Sequence, residues 1–359
     1  MDILITVSLC MIVKDEEQTL ARCLDSICEL VDEIIIVDTG STDRTKEIAS
    51  AYTDKIYDFP WIDDFSAARN FSFSKASKQY CMWLDADDIL ESADQKNFLT
   101  LKNSLSPETD VVMMRYHTAF DAVGSPIFTY YRERLIRRGS GLSWEGAVHE
   151  AISPNGKVVY NETAISHHKI GRSDPNRNLR IFEHLLSQGK KLDPREQFYY
   201  ARELTYHGRD KEAVKVLKRF LNNKNGWVEN KIEACRILSQ CFTRLGAPEK
   251  AFSALLKSFR FGPPRAELCC DIGQFFFDRS DFFTSSYWYK CALSCKRNDT
   301  SGRFILPDCY GYIPLIQLCV CSYHMGNVAQ AAAYNEKAGK IKPNDPAYQY
   351  NRKFFEQAF

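Results

Sequence analysis

The chain has 359 residues, 45% hydrophobic and 13% aromatic, enough for sizeable cores in one large or two ordinary globular domains. Lysine plus arginine total 47 against 46 for aspartate plus glutamate, a formal net charge of +1, so no global basic field recommends nucleic acid or an anionic membrane as a partner. Any function that depends on charge must be local.

The opening run MDILITVSLCMIVKDEE has no basic region before its apolar stretch and no small-residue cleavage site after it, and it meets charges too soon to span a bilayer. It reads as a first strand over residues 6–13. Apolar residues at helical spacing (Leu20, Cys23, Leu24, Ile27) predict a helix over 16–29. A second apolar strand over 33–37 ends in DTGSTD, and a helix follows over 44–51. A short strand at 55–57, a helix over 66–76 and a strand over 80–84 complete the series. Strands alternating with helices imply a mostly parallel sheet with right-handed crossovers, which binds ligands at the carboxyl ends of its strands. The clusters KDEE, DTGSTD and DADD each follow an apolar strand, so one edge of the sheet gathers them over a crevice.

From residue 174 the pattern becomes continuously helical. Four segments each read as helix, tight turn and helix, with Gly208, Gly246, Ser280 and Gly326 at the turns and small residues such as Ala213 and Ala251 early in the second helix. The turn positions are 38, 34 and 46 residues apart, close to the roughly 34-residue period of tetratricopeptide repeats with insertions. The expected organisation is an α/β domain at 1–173 and an all-α helical repeat domain at 174–359. Stacked helix pairs build a concave surface for a peptide or another subunit, including a second copy of the chain, or else buttress the sheet domain. The thirteen cysteines, several at apolar positions (Cys10, Cys81, Cys235, Cys319), read as buried reduced thiols of a cytoplasmic protein. Cys269/Cys270 and Cys319/Cys321 lack zinc-site spacing.

In MWLDADDIL, Asp85, Asp87 and Asp88 stand directly behind an apolar strand. Their mutual repulsion is relieved by a divalent cation, and Mg²⁺ or Mn²⁺ suits such oxygen ligands together with substrate phosphates. The alternative is a helix start, with aspartates capping free N–H groups. In DTGSTDRT, Gly40 permits a tight turn while Asp38, Thr39, Ser41 and Asp43 offer short polar groups able to read a base and ribose.

Taken in order, MIVKDEEQTLARCLDSI, DEIIIVDTGSTDRT, FSAARNFSFSKAS and YCMWLDADD resemble the nucleotide-binding half of family 2 glycosyltransferases, over roughly residues 5 to 170. The resemblance implies a GT-A nucleotide-diphospho-sugar transferase fold. It implies that Glu16 and Asp38 bind the nucleoside with Asp43 supporting the loop, that Asp85 contacts the ribose, and that Asp87 holds the metal. Arg69 and Asn70 match an ARN-like element and would lie near the nucleotide or brace the acidic loop. Many members carry a second acid where this chain has Thr39, which bears on the preference for uridine.

Inverting transfer needs a carboxylate or imidazole to take the acceptor's proton while the metal stabilises the departing diphosphate. A VHE element in a similar subgroup of the family fits Val148, His149 and Glu150. Glu150 is the expected base, with His149 or Glu145 as substitutes, since alternation along an extended segment places 149 and 150 on opposite faces. His167, or His168 beside it, is a candidate metal ligand or diphosphate contact. Arg134, Arg137 and Arg138 offer charge to phosphate or lie solvated on an edge strand, and Lys169 and Arg172 share that ambiguity.

The expected activity is metal-dependent inverting transfer of a hexosyl or N-acetylhexosaminyl group from a nucleoside diphosphate, UDP first, to a peptide or protein side chain. A lipid-linked or glycan acceptor is the alternative. Rival classes are a nucleotide-sugar-binding scaffold and a nucleotidyltransferase, although the latter normally carries a basic Gly-rich loop where KDEE is acidic.

Overall fold

The computed structural model describes residues 4–120, 124, 126–170 and 174–358. They divide into two compact units, Met1–Lys190 and Lys191–Phe359. The boundary expected at 173/174 adjoins the undescribed residues 171–173, which also include Arg172.

The first unit runs β1 (Val7–Val13), α1 (Leu20–Asp25), β2 (Glu33–Asp38), α2 (Thr45–Ser50), β3 (Ile56–Asp58), α3 (Phe65–Ser74), β4 (Tyr80–Met82), β5 (Asp88–Ile89), α4 (Ser92–Ser104), β6 (Val111–Phe120), β7 (Pro126–Arg137), β8 (Val158–His167) and α5 (Arg177–Ser187). One eight-stranded sheet takes the order β3-β2-β1-β4-β7-β6-β8-β5. The first four strands are mutually parallel, β7 enters antiparallel to β4, and β6 and β8 follow. Strands β1 and β2 are covered on both faces, which is why they read as unbroken apolar runs.

Two sequence expectations are corrected here. The helix expected over 16–29 shrinks to the six residues of α1: ahead of it the backbone is tied to the neighbouring loop, and after it the chain continues in tighter turns, with the Ser26 N–H on the Cys23 carbonyl and the Ile27 N–H on that of Leu24. Asp15 takes φ +55° and donates its N–H to Ser41 Oγ, Glu16 donates to Thr45 Oγ1 and Glu17 to Asp43 Oδ2. The KDEE loop is thereby laced to DTGSTD rather than wound into a helix. The second correction concerns Arg134: β7 is no edge strand but lies between β4 and β6, and Arg134 is fully buried in it.

The second unit consists of the antiparallel helix pairs α6/α7 (Pro194–Tyr206, Asp210–Asn222), α8/α9 (Val228–Arg244, Pro248–Lys257), α10/α11 (Ala266–Phe277, Phe282–Ser294) and α12/α13 (Tyr312–His324, Val328–Gly339), closed by α14 (Pro346–Ala358). The turn residues Gly208, Gly246, Ser280 and Gly326 all take left-handed φ, between +60° and +80°. That conformation is what lets the chain reverse within three or four residues at each turn, and it explains the glycine at three of the four turns. Ala213 and Ala251 are buried where paired helices approach closely. The long third interval contains an irregular segment between α11 and α12 that ends in a 3₁₀ turn, Pro307–Tyr310.

Candidate functional site

The carboxyl ends of β1 and β2 carry the two laced loops. Asp38 closes β2 almost wholly buried, its Oδ1 accepting the N–H groups of Gly40 and Ser41 at 2.9 Å each. Gly40, at φ +107°, is the residue that lets the loop fold back onto this carboxylate. Asp38 Oδ2 is buried with no hydrogen-bond partner, a costly arrangement unless a donor from outside the chain completes it. Thr39 turns inward, its hydroxyl donating to the Val13 carbonyl at 3.1 Å. Asp43 accepts from Thr45 and Glu17, so it holds the loops together. Glu16 accepts from Thr19 Oγ1 at 2.6 Å; burial raises its carboxyl pKa, and the charges of Asp87, Asp85 and Asp43 raise it further.

Past β4 the chain makes a closed turn, with the Asp85 N–H donating to Asp88 Oδ2 and the Asp88 N–H to the Asp85 carbonyl, both at 3.0 Å. Strand β5 then pairs antiparallel with β8, and this register sets Asp88 opposite His167. His167 Nδ1 lies 3.2 Å from Asp87 Oδ1 and 3.1 Å from Asp88 Oδ1. Burial disfavours the imidazolium, but the two carboxylates outweigh it and push the His167 pKa up to about 10. Asp87, Asp88 and His167 bring three ligand atoms within 4.8 Å of one another, the one such group among the described residues. Hard oxygens plus one imidazole suit Mg²⁺ or Mn²⁺. Asp88 is the least available of the three. It is fully buried and accepts from Tyr116 Oη (2.8 Å), the Asp85 N–H and Arg134 Nη1 (3.1 Å). Asp87 and His167 are the partly open members and fit a divalent cation with Asp88 ordering them from beneath.

On the other side stands Arg69, from α3. Its Nη2 donates to Asp85 Oδ1 and its Nε to Glu150 Oε1, each at 2.7 Å. Its guanidinium carbon sits 4.7 Å from the Trp83 ring centroid and 4.9 Å from that of Trp144, so two buried indoles clamp it. Burial opposes the Asp85 carboxylate's charge, yet the Arg69 charge and hydrogen bond hold its pKa at about 2. Asn70 does not face the acids. Its side chain brackets the Trp144 backbone, accepting the N–H and donating to the carbonyl at 2.9 Å each, and so fixes the segment that leads to Glu150.

That segment is not extended as expected. Gly146 (φ +97°) and His149 (φ +53°) fold it into a loop closed by the Glu145–Ala151 backbone pair. Glu150 is thereby turned inward to Arg69, while Glu145 remains exposed. His168 stacks on Phe120 at 4.8 Å and meets Glu91, and Arg137 and Arg138 bind Asp110 and the Lys78 carbonyl at the opposite end of β4. Among the described residues, then, Glu16, Asp85, Asp87, Asp88, His167, Arg69 and Glu150 gather on one edge.

Sequence reading missed Trp83, Trp144, Tyr116 and the true place of Arg134. Three guanidiniums, from Arg69, Arg132 and Arg134, approach the Trp83 ring within 4.8 Å. The only signal was composition: aromatic and cationic residues interleaved in a segment with no clean period.

Residues 8–152 match the family model of glycosyl transferase family 2. The glycosyltransferase SunS of Bacillus subtilis is 27% identical over 244 residues, 61% of this chain and 54% of that protein. The lipopolysaccharide core biosynthesis glycosyltransferase LpsC of Rhizobium meliloti is 31% identical over 156 residues, 40% of this chain and 56% of that protein. A TPR repeat-containing protein of Synechococcus elongatus is 51% identical over 84 residues, 23% of this chain and 21% of that protein. The chain thus spans between about a fifth and just over half the length of these relatives.

Proposed function

Starting from a glycosyltransferase family 2 domain over residues 8–152, we propose that the chain transfers a sugar from a nucleoside diphosphate, UDP first, to a polypeptide side chain with inversion at the anomeric carbon. The observation that carries this reading is one sheet edge holding an orphaned Asp38 oxygen, the Asp87–His167 pair and a carboxylate held by Arg69. Asp38 Oδ2 and Glu16 receive the nucleoside's donors, and Asp85 the ribose hydroxyls. Asp87 and His167 hold the cation, which when bound neutralises the departing diphosphate. Glu150 acts through Oε2, since Oε1 is engaged by Arg69. That oxygen takes the acceptor's proton as the acceptor lone pair bonds to the anomeric carbon and the carbon–oxygen bond to phosphate breaks, its electrons leaving with the diphosphate. His149, on the same loop, is the substitute base.

The helix pairs of the second unit support a polypeptide acceptor, because stacked pairs present an extended surface. The Rhizobium relative supports a second reading, a glycan acceptor. Calorimetric titration of UDP, GDP and CDP, each with and without Mn²⁺, tests the donor half. Binding of one nucleotide that requires Mn²⁺ and disappears in Asp87→Ala is expected. Binding indifferent to the metal, or retained in the variant, removes the cation assignment. Screening the matching donor against peptides and oligosaccharides then separates the two acceptors.

A further inference from the structure

Residues 296–306, the irregular stretch between α11 and α12, do not loop away into solvent. They run back across the helix pairs of the same unit and touch three of them. Phe304 lies against Phe198 of α6 (ring centroids 5.8 Å apart), with the Arg202 guanidinium 4.5 Å from its ring. Arg303 Nε is 3.4 Å from Glu229 at the start of α8, and Gly302 passes so close to Trp227 that a methyl group there would meet the indole at 3.1 Å. The Leu306 N–H donates to Glu267 Oε1 of α10 at 2.9 Å. Glu267 is buried, yet its carboxylate is satisfied by this segment and by Tyr310. Each contact is of the kind by which a groove reads an extended peptide: an aromatic in a cationic–aromatic slot, a guanidinium on a carboxylate, a backbone N–H on a fixed acceptor.

The segment also behaves unlike a core element. A cleft of about 280 Å³, bordered by Val228, Ile232, Pro264 and Lys296, lies open beside it, and Gly302 and Leu306 are exposed.

We propose that residues 296–306 are a strap occupying in cis a groove that receives an extended polypeptide segment from a partner, one with a basic residue, an aromatic next to it, and a non-proline residue two positions after the aromatic. The tethered strap competes as a ligand at high effective concentration, so a partner engages only by displacing it. This inference concerns binding alone and stands whichever sugar the first unit uses.

The test uses the full chain and a fluorescent peptide with the sequence of Thr300–Pro307, read by anisotropy, beside the same peptide carrying alanine in place of its phenylalanine. Two altered proteins are compared with the unaltered one: Phe304→Ala, and a variant with about ten Gly/Ser residues inserted after Asn298, which leaves the residues that touch the helix pairs, Gly302 to Leu306, unchanged but dilutes the tether. The peptide is expected to bind Phe304→Ala at least about tenfold more tightly than the unaltered chain and to raise its melting temperature, and to bind the lengthened-tether protein about twofold more tightly, because the cost of closing a loop grows only slowly with its length. The alanine peptide should bind none of them. Should Phe304→Ala fail to fold, the lengthened tether carries the test. Absence of binding to the folded variants, or equal binding of both peptides, overturns the proposal. So does a lengthened-tether protein that becomes dimeric by light scattering, since the strap of a second copy would then be the occupant.

Discussion

Arg69 is the side chain on which the two halves of the site depend. It reaches Asp85, 16 residues away, and Glu150, 81 residues away, while two indoles cover its faces. Arg69→Ala leaves two carboxylates facing each other beside an emptied aromatic slot, and should cost about 3 kcal/mol, read from urea melts at neutral pH. Arg69→Lys restores the charge but cannot fork to both acids, so it should recover only part of the stability and little of the turnover. Glu150→Gln asks a different question. A general base acts on the reacting proton, so turnover should fall by roughly 10²–10⁴ while nucleotide affinity stays nearly unchanged. Full turnover would hand the role to His149 or Glu145. Each of these residues was legible in the sequence as a type: Asp85 behind a strand, Arg69 in the ARN-like element, Glu145 in LSWEG, and His149 and Glu150 in VHE. The pairing was not, because nothing local relates positions 69 and 150, and Asp88, read only as one acid of the cluster, is the buried hub for Tyr116, Arg134 and His167.

At the level of elements, the parallel half of the sheet follows from apolar runs punctuated by acidic loops, and its strands lie within two residues of where the pattern puts them. The other half, with mixed pairing, gave no such signal. Strands β6, β7 and β8 carry polar and charged residues toward the site or into buried ion pairs, which erases the period-two pattern, and β5 has two residues. A buried charge also knits the parallel half. Glu33, opening β2, accepts from Ser8 of β1, from Lys55 ahead of β3 at 2.5 Å, and from the Ser77 N–H ahead of β4 at 2.8 Å. Burial opposes its charge, but these donors bring its pKa down to about 2. With the folded value below the ordinary carboxylate value near 4.3, its contribution is complete above that value and disappears as pH falls through about 2. Glu33→Gln should therefore lower stability by about 2 kcal/mol at pH 7, with the gap to the unaltered protein narrowing between about pH 4 and 2. A gap that stays constant over that range would mean the carboxylate's charge is not what joins these strands.

For the molecule as a whole, the change of texture from alternating strands to continuous helix was visible in the sequence, where α5 reads as helical like everything after it. It nonetheless groups with the first unit, where the Arg177 guanidinium lies 4.7 Å from the Phe65 ring on the helix that carries Arg69. Phe65 in turn donates its N–H to the Ala147 carbonyl of the Glu150 loop, so α5 bears on the site through a single intermediate residue. Two fragments separate these possibilities. Residues 1–190 should melt cooperatively and bind the donor nucleotide as the full chain does, whereas residues 1–173 should lose about 2 kcal/mol, roughly 4–8 °C in Tm for a domain of this size. Identical melting of the two would assign α5 to the helical unit. The longer fragment then isolates what the helix pairs contribute. If they present the acceptor, it should still hydrolyse the sugar nucleotide slowly while transfer to the acceptor collapses, since water needs no docking surface and a polypeptide does. Equal loss of hydrolysis and transfer would mean that the helical unit acts by supporting the first unit's fold, and the acceptor would have to be recognised at the sheet edge itself.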